Sequence, residues 1–294
     1  MKLFDPDKKF YKGNLHVHTT VSDGRKAPEE VMALYQENGY DFLALTDHWK
    51  VSPTQQYKNM LILSGMEIDY TFEKQVLHVV CILRDAGILE KLNRENRLPY
   101  QEAIDLVNSL GGAAIVAHPA WSLNTYDFLL GIEGACAAEV YNTVSGAPWN
   151  GTRADSSGIL DVVSTWGKYY PLVASDDAHF YTGDQCTSFT MVQADSLTPE
   201  GIISALKRGS FYASQGPRFL DVEIDEEKLT VRTTPVERVT FSSNLFYSAD
   251  RSTMRKGITE ISYPLKKERG ERFVRCEIED QWGRRAWLSP IAYQ

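Results

Sequence analysis

Short apolar runs alternate with longer helical patterns between residue 14 and about residue 215 of this 294-residue chain, and this alternation constrains the fold most. The apolar runs predict strands at 14–18, 42–46, 61–66, 76–83, 113–117, 137–141, 172–174 and 188–192. Helical patterns occupy 28–38, 100–110, 158–166 and 199–208. Repeated strand–helix alternation favours an α/β fold with a parallel sheet or barrel, and the pattern alone does not separate the two.

The predicted secondary structure changes at about residue 217. Short β-type runs follow at 219–224, 228–233, 238–242, 260–263, 273–278 and 286–291, split by polar or glycine turns and without a convincing amphipathic helix. This pattern predicts a small antiparallel β-sandwich. We therefore predict an α/β domain at residues 1–217 and a β domain at residues 218–294, joined at the segment SQGPR.

Composition excludes several classes of protein. A hydrophobic content of 43% is that of an ordinary globular chain, and the net charge of −8 disfavours a nucleic-acid partner. The apolar runs are too short to span a bilayer, so no membrane association is expected. The four cysteines form no CxxC pair, and the first residues carry charge in place of the apolar stretch of a signal peptide. These features predict a cytoplasmic protein.

All six histidines lie in the first predicted domain, most of them at or just after the end of a predicted strand. In parallel α/β folds the carboxyl ends of the strands converge on one site. His16 and His18 form an HxH pair, and residues two apart on a strand face the same side, so both imidazoles can reach one metal ion. Separate burial of each imidazole would require separate polar partners, whereas a shared metal cluster accounts for all of them.

The ordered motifs HVHTTVSDG, LTDH, GMEI, LH, AHP and SDDAH resemble those of the PHP (polymerase and histidinol phosphatase) superfamily of phosphoesterases. The resemblance covers residues 14 to about 180, and FYASQGP at 211–217 is similar to the end of this domain in two-domain bacterial members. It implies a distorted seven-stranded (β/α) barrel, with metal ions at the carboxyl ends of the strands, followed by the β domain.

The resemblance also implies a set of metal ligands. These are His16 and His18 at a first ion, Glu67 bridging it to a second, His78 and His118 completing the second, and Asp23, His48 and His179 at a third, with Asp177 bridging to the third or serving the first. A mixture of imidazoles and carboxylates suits two or three ions of Mn²⁺, Zn²⁺ or Fe²⁺ and does not choose among them. Such ions lower the pKa of a shared water from about 16 toward 7, which gives a hydroxide nucleophile.

The candidate catalytic side chains are Asp47, Asp177 and His179, and Asp47 could alternatively orient a liganding histidine. The proton for the leaving group would come from Asp47, from a histidine not fully engaged with metal or from a metal-bound water. Glu139 is expected near the same face, with a supporting or substrate-binding role. The cationic candidates for a phosphate clamp are Arg25, Lys50, Arg153 and Arg218.

Three functions compete for these residues. The first is a phosphoesterase acting on a small phosphorylated metabolite or nucleotide. The second is a carbamate or carboxylic ester hydrolase that uses the same cluster, and the third is a non-catalytic module stabilised by metal. The sequence leaves the substrate and the oligomeric state open.

Overall fold

The structure is a computed structural model and describes residues 1–87 and 92–293. Its helices are α1 Pro28–Glu37, α2 Tyr100–Ser109, α3 Tyr126–Gly131, α4 Ser157–Thr165 and α5 Pro199–Arg208. Its strands are β1 Phe10–Asn14, β2 Phe42–Ala44, β3 Gln55–Tyr57, β4 Met60–Thr71, β5 Val76–Leu83, β6 Ala113–Val116, β7 Ala137–Asn142, β8 Leu172–Ser175, β9 Phe189–Gln193, β10 Phe211–Ser214, β11 Phe219–Ile224, β12 Lys228–Ser243, β13 Ser252–Pro264, β14 Phe273–Glu279, β15 Arg285–Trp287 and β16 Ile291–Ala292.

Thirteen of the described strands form one hydrogen-bonded path in the order β11-β12-β14-β15-β10-β9-β1-β2-β4-β5-β6-β7-β8, and β3, β13 and β16 pair with β4, β12 and β14 beside it. The prediction of an α/β fold is confirmed in its general form, but the sheet is mixed. Pairs β1–β2, β2–β4, β6–β7 and β7–β8 are parallel, whereas β5 runs antiparallel to both β4 and β6. Strands β4 and β5 are joined by a short turn, which permits only antiparallel pairing because a parallel pair needs a long crossover.

Helix α1 shows how local sequence sets these elements. Pro28 occupies the first turn, where its missing N–H costs nothing, and the Glu30 carboxylate accepts a hydrogen bond from the Ala27 N–H at 2.9 Å. Val31, Met32 and Tyr35 are buried on one face. Gly39 follows the helix with φ of 73°, a left-handed conformation that glycine adopts without strain. The end of the helical pattern predicted at 28–38 therefore has a direct structural basis.

The central strands are buried on both faces. On β5, Val79 and Cys81 join a core that includes Ile104 of α2 and Val163 of α4, whereas Val80 and Ile82 join a core that includes Ile203 of α5. Because side chains alternate across a strand, the continuous apolar run of β5 supplies both cores. This two-sided packing fixes the strand ends, where the polar residues lie.

The segments that follow β1 and β8 meet, although the two strands are far apart along the path. Val17 and Ala178 form an isolated parallel bridge. The Asp177 N–H donates to the His16 carbonyl at 2.9 Å, and the His18 N–H donates to the Ala178 carbonyl at 3.1 Å. The HxH motif and the D-x-H motif are thereby placed side by side.

The C-terminal strands continue the same path, since β15 pairs with β10 through Ala213 with Trp287 and Ser214 with Ala286. Their core also includes Phe4 from the start of the chain and Tyr212 of β10. Hydrogen bonding of the described strands thus does not set apart a separate sandwich, and a boundary at residue 217 remains a prediction.

Two ion pairs connect the C-terminal strands to the first part of the chain. Arg275, which is 3% exposed, donates to both carboxylate oxygens of Asp161 at 2.5 and 2.8 Å. Arg285 donates to Asp155 at 2.6 Å, and burial of Asp155 is outweighed by this guanidinium, so the pKa of the carboxyl is lowered. A buried guanidinium is costly to leave without its partner.

We therefore expect Asp161→Asn to lower the free energy of unfolding by about 2–3 kcal/mol, because it leaves Arg275 buried with the more distant Glu277 as its one charged partner among the described residues. Urea denaturation followed by circular dichroism measures this change. Asp105→Asn, at an exposed position of α2, is the matched control and should change stability by less than about 0.5 kcal/mol. Equal effects of the two substitutions would contradict a stabilising role for the Arg275–Asp161 pair.

Candidate metal centre

The structure brings the six histidines together. Neighbouring ring centroids are 4.0 Å apart for His18 and His179, 4.6 Å for His18 and His48, 4.9 Å for His78 and His118, and 5.2 Å for His16 and His18. The rings come from the ends of β1, β2, β6 and β8 and from within β5. This is the arrangement expected where strand ends converge.

Glu67 of β4 lies at the middle of the cluster and is 1% exposed. Five imidazoles have a nitrogen within 3.5 Å of its carboxylate: His16 at 3.3 Å, His78 at 2.8 Å and His118 at 3.5 Å from Oε1, and His18 at 3.1 Å and His48 at 3.2 Å from Oε2. Burial opposes the charge, but the surrounding imidazoles outweigh it, and the pKa of Glu67 is held well below its usual range.

Asp177 faces the same space from the segment after β8. Its Oδ1 is 3.1 Å from His16 Nε2, 3.0 Å from His18 Nε2 and 3.5 Å from His179 Nδ1. Burial opposes ionisation, but His16 and His179 lower the pKa of Asp177 overall. Asp177 has φ of 52°, and such strained conformations of non-glycine residues concentrate at functional sites.

Asp23 closes the outer side of the cluster. Its carboxylate lies 3.4 Å from His18 Nδ1, 3.4 Å from His179 Nε2 and 3.6 Å from His48 Nε2, and its side chain is 54% exposed. The predicted ligands for a third ion are therefore adjacent in space, next to solvent.

Three groups of side chains offer ligand atoms that all lie within 4.8 Å of one another: His16, His18, Glu67 and Asp177; His18, Asp23, His48 and His179; and His48, Glu67 and His78. Asp177 Oδ1 and His48 Nδ1 are buried and have no hydrogen-bond partner of good geometry among the described residues. His16 Nε2 and His18 Nε2 are only 3.2 Å apart. Converging nitrogens and carboxylate oxygens of this kind fit divalent cations, which this arrangement could hold.

Glu139 of β7 orients two of these histidines. Its Oε1 lies 2.9 Å from His16 Nδ1, while its Oε2 accepts hydrogen bonds from the His118 N–H at 2.9 Å and from Asn142 Nδ2 at 2.8 Å. Ser122 Oγ lies 2.9 Å from His118 Nδ1. These contacts leave Nε2 of both rings directed at Glu67, so Glu139 has the environment of the predicted supporting residue rather than of a ligand.

The Asp47 carboxylate is buried and its oxygens are engaged by neighbouring hydrogen-bond donors, whereas proton transfer to a substrate requires a carboxylate that the substrate can reach. Its carboxylate accepts hydrogen bonds from the N–H and hydroxyl of Thr19, at 2.8 and 2.7 Å, and of Ser22, at 3.1 and 2.7 Å. It is 2% exposed. These four bonds hold the turn that carries Asp23, and we therefore assign Asp47 no chemical step.

The adjacent carboxylates Asp176 and Asp177 have separate tasks. Asp176 accepts hydrogen bonds from Asn14 Nδ2 at 2.7 Å, from the Tyr35 hydroxyl at 2.8 Å and from the backbone N–H groups of residues 186–188. Burial raises the pKa of Asp176 to about 6. Asp176 thus ties β1, α1 and the loop before β9 together, while Asp177 faces the histidines.

Two adjoining cavities open from the cluster. The smaller, about 250 Å³, is lined by ligand candidates together with Trp121, Ser145, Asn150 and Phe180. The larger, about 570 Å³, is lined by Lys50, Trp49, Asn93, Arg94 and Glu95, and shares Asp23 and His48 with the smaller. The total space is sufficient for a small organic molecule.

The predicted cationic residues have different positions. Lys50 lines the larger cavity, and the Arg25 guanidinium lies 4.6 Å from the ring centroid of Phe180 beside the smaller one. Arg153 is exposed, and its backbone N–H donates to the Ser145 carbonyl at 3.1 Å. Arg218 lines a third cavity among the C-terminal strands, whose lining contains no predicted ligand.

Sequence reasoning missed Arg94 and Asp69, which border the cluster. Arg94 belongs to no strand or helix, and Asp69 lies inside β4 two residues beyond Glu67. Only the period of two along a strand could have pointed to Asp69, since Glu67 and Asp69 then share a face.

No family profile matches the chain, and no curated protein matches it. The fold is similar to that of a two-domain protein from Bacteroides vulgatus containing a predicted PHP-like metal-dependent phosphoesterase. The match covers 97% of this chain and 96% of the other, with 16% sequence identity and a TM-score of 0.55. The resemblance to the two-domain PHP type is thereby confirmed at the level of the fold.

Two further solved structures match less well. An amidohydrolase from Chromobacterium violaceum, with bound sulfate and no metal, has 16% identity and a TM-score of 0.42 over 58% of this chain and 89% of the other. A Bifidobacterium adolescentis protein, described as a metal-dependent phosphoesterase on the basis of similarity, has 12% identity and a TM-score of 0.43 over 67% of this chain and 96% of the other.

Within residues 1–87 and 92–293, no helix has the length and apolar character that a bilayer crossing requires.

The contacts of Glu139 lead to a specific expectation. Glu139→Gln keeps the size of the side chain but removes its charge and turns a donor toward the His118 N–H or the His16 ring. We expect affinity for Mn²⁺ or Zn²⁺ to fall by about 10- to 100-fold, measured by titration against a chelator of known affinity. Glu102→Gln, at an exposed position of α2, should retain the wild-type affinity. Unchanged affinity in Glu139→Gln would show that Glu139 does not position the histidines.

Proposed function

We propose that this protein is a metal-dependent phosphoesterase of the PHP type that removes phosphate from a small phosphorylated molecule. The observation that carries the proposal is the buried Glu67 carboxylate with five imidazole nitrogens around it, at the floor of an open cavity. The fold shared with a two-domain PHP-like protein supports the proposal. The open cavity favours a catalytic site over a purely structural metal cluster.

We assign the ligands as the resemblance to the PHP superfamily implies, and of its two options for Asp177 we choose the first ion because Asp177 Oδ1 lies 3.1 Å from His16 Nε2 and 3.0 Å from His18 Nε2. His16, His18 and Asp177 would hold a first ion, Glu67 would be shared with a second, and His78 and His118 would complete the second. Asp23, His48 and His179 would hold a third ion on the exposed side. We also infer that the Val17–Ala178 bridge closes the strands into a distorted barrel around this centre.

The chain's own side chains define the reaction environment. Divalent ions, when bound by these residues, would supply a nucleophile from water near neutral pH and would offset the charge of the phosphoryl group. Glu139 and Ser122 keep His16 and His118 in one orientation. His179 and Asp177 line the cavity and are the two predicted catalytic side chains that face a substrate there, while Asp47 holds the turn of Asp23.

The metal content tests the first part of this proposal. We expect the purified protein, after reconstitution with Mn²⁺ or Zn²⁺ and removal of excess metal, to retain at least about two equivalents per chain. Elemental analysis by inductively coupled plasma mass spectrometry measures this ratio. A value below about one equivalent would contradict a shared cluster.

The reaction class requires a substrate panel on the metal-loaded protein. Among matched 4-nitrophenyl substrates, the phosphate monoester should be hydrolysed faster than the phosphate diester, the carbamate and the carboxylic ester, with released 4-nitrophenol as the common readout. A preference for carbamates or carboxylic esters would assign the cluster to the alternative hydrolase. Metal binding without turnover on any substrate would favour the non-catalytic module.

The bridging role of Glu67 predicts the largest single effect. Glu67→Gln removes the charge that balances two cations, so monoesterase activity should fall by about a hundredfold or more, with partial loss of metal. Glu73→Gln, in the exposed turn between β4 and β5, is the matched control and should behave as the wild type. Near-normal turnover and metal content in Glu67→Gln would overturn the assignment of the bridge.

A further inference from the structure

We propose that the larger cavity beside the metal centre binds a second anionic group of the substrate, and that Arg94 and Lys50 select for it. The substrate is then a phosphate monoester that carries a carboxylate or another phosphate only a few bonds from the scissile ester. This inference rests on the proposed function, because it places the scissile phosphate at the metal centre.

Asp69 connects Arg94 to the centre. A single carboxylate oxygen of Asp69 accepts hydrogen bonds from Arg94 Nη2 at 2.8 Å and from Trp49 Nε1 at 2.7 Å, and lies 3.6 Å from His48 Nδ1. One carboxylate therefore separates the guanidinium from a proposed metal ligand. This short separation sets the spacing between the two anionic groups that the site accepts.

Arg94 retains donors for a ligand. A guanidinium has five N–H groups in a planar fork, and the contact with Asp69 uses one nitrogen. The Arg94 side chain is 64% exposed and lines the larger cavity, and Asp69 is its one ion-pair partner among the described residues. Carboxylates and phosphates match the fork with two parallel hydrogen bonds, which a lone ammonium group does not provide.

The charges of the lining favour an anion. Lys50 is exposed on the same cavity and forms no ion pair within the described part of the chain. Two carboxylates oppose these two cations, Glu95 on the lining and Asp69 behind Arg94, while the charge of Asp23 is directed at the proposed third ion, and the proposed ions add positive charge beside the cavity. The cavity volume of about 570 Å³ leaves room for the carbon skeleton between the two anionic groups.

Equilibrium binding tests the subsite independently of turnover. Isothermal titration of the metal-loaded protein should show that phosphonoacetate and methylenebisphosphonate bind more tightly than methylphosphonate, by about tenfold or more. The two ligands distinguish a carboxylate from a phosphate-like second group. Arg94→Ala should bring the affinity ratio close to one, and Arg94→Lys should recover only part of it because the fork is lost.

Arg97→Ala is the matched control, since Arg97 is an exposed arginine on the same segment and does not line the cavity. It should preserve the ratio of the wild type. An equal affinity of the wild type for all three ligands would overturn the proposal, as would a ratio that Arg94→Ala leaves unchanged. A preference that survives in Arg94→Ala would arise from chelation by the metal ions alone.

Turnover separates this inference from the proposed function. The wild type should hydrolyse 2-phosphoglycerate with a kcat/KM about tenfold or more above that for glycerol 2-phosphate, and Arg94→Ala or Lys50→Ala should reduce this ratio. Hydrolysis of both esters at equal efficiency would reject the subsite and keep the phosphoesterase. Arg94-dependent binding of phosphonoacetate without hydrolysis of any monoester would keep the subsite and reject the phosphoesterase.

Discussion

The burial of the Glu67 charge is the constraint on which the rest of the structure depends. A carboxylate removed from water is unfavourable by several kcal/mol or more unless positive charge surrounds it. Here five imidazoles have a nitrogen close to the Glu67 carboxylate, and some of these nitrogens are also close to Asp177. Two carboxylates are thus surrounded by a larger number of imidazole nitrogens. Protons on the imidazoles or divalent cations between the donors satisfy this requirement. Cations do so without repulsion between neighbouring charged rings, which favours a metal centre.

The register of the strands places these carboxylates and imidazoles together. In the β4–β5 hairpin, Glu67 pairs with Val80 and Asp69 pairs with His78. His48 forms an isolated parallel bridge with Glu67, and Val17 forms one with Ala178. A shift of one residue in the hairpin would turn Glu67 and Asp69 away from the centre and bring apolar neighbours in. The two apolar cores on either face of β5 hold the register, because such a shift would exchange their side chains.

The convergence of the histidines followed from their positions at the ends of predicted strands, whereas the fuller set of proposed ligands came from the resemblance to the PHP superfamily. The HxH pair places two imidazoles on one side of an extended segment, whatever the direction of the neighbouring strand, whereas the φ of 52° at Asp177 in the D-x-H pair leaves no trace in the sequence. The direction itself could not be predicted, since the apolar run of β5 is the same in a parallel and an antiparallel sheet. The pairing of β15 with β10 was missed for a similar reason, because edge pairing leaves little trace in the sequence.

Candidate substrate-binding residues leave less signal in the sequence than candidate ligands, since an isolated arginine has no characteristic spacing. Arg218 follows the last strand of the motif series, yet it lies in a cavity of the C-terminal strands. Arg94 belongs to no motif, yet it lies one carboxylate from His48. Asp47 shows that the reverse also occurs, since a carboxylate can be next to a proposed ligand in the sequence without facing the centre. The Asp47 carboxylate accepts hydrogen bonds from Thr19 and Ser22 and so stabilises a loop.

The C-terminal strands pack against β7, which carries Glu139, so the two predicted domains are in contact close to the centre. Trp287 of β15 is buried and stacks on Tyr141 of β7, with ring centroids 5.5 Å apart, and Arg285 lies 5.4 Å from the same ring. Tyr141 is next to Asn142, whose Nδ2 donates to Glu139 and to Asp177 at 2.8 and 3.2 Å. Packing of β15 on β7 thus restrains the strand that carries Glu139. The β strands after residue 217 contain no proposed ligand, but through Trp287 they pack against the strand that carries Glu139.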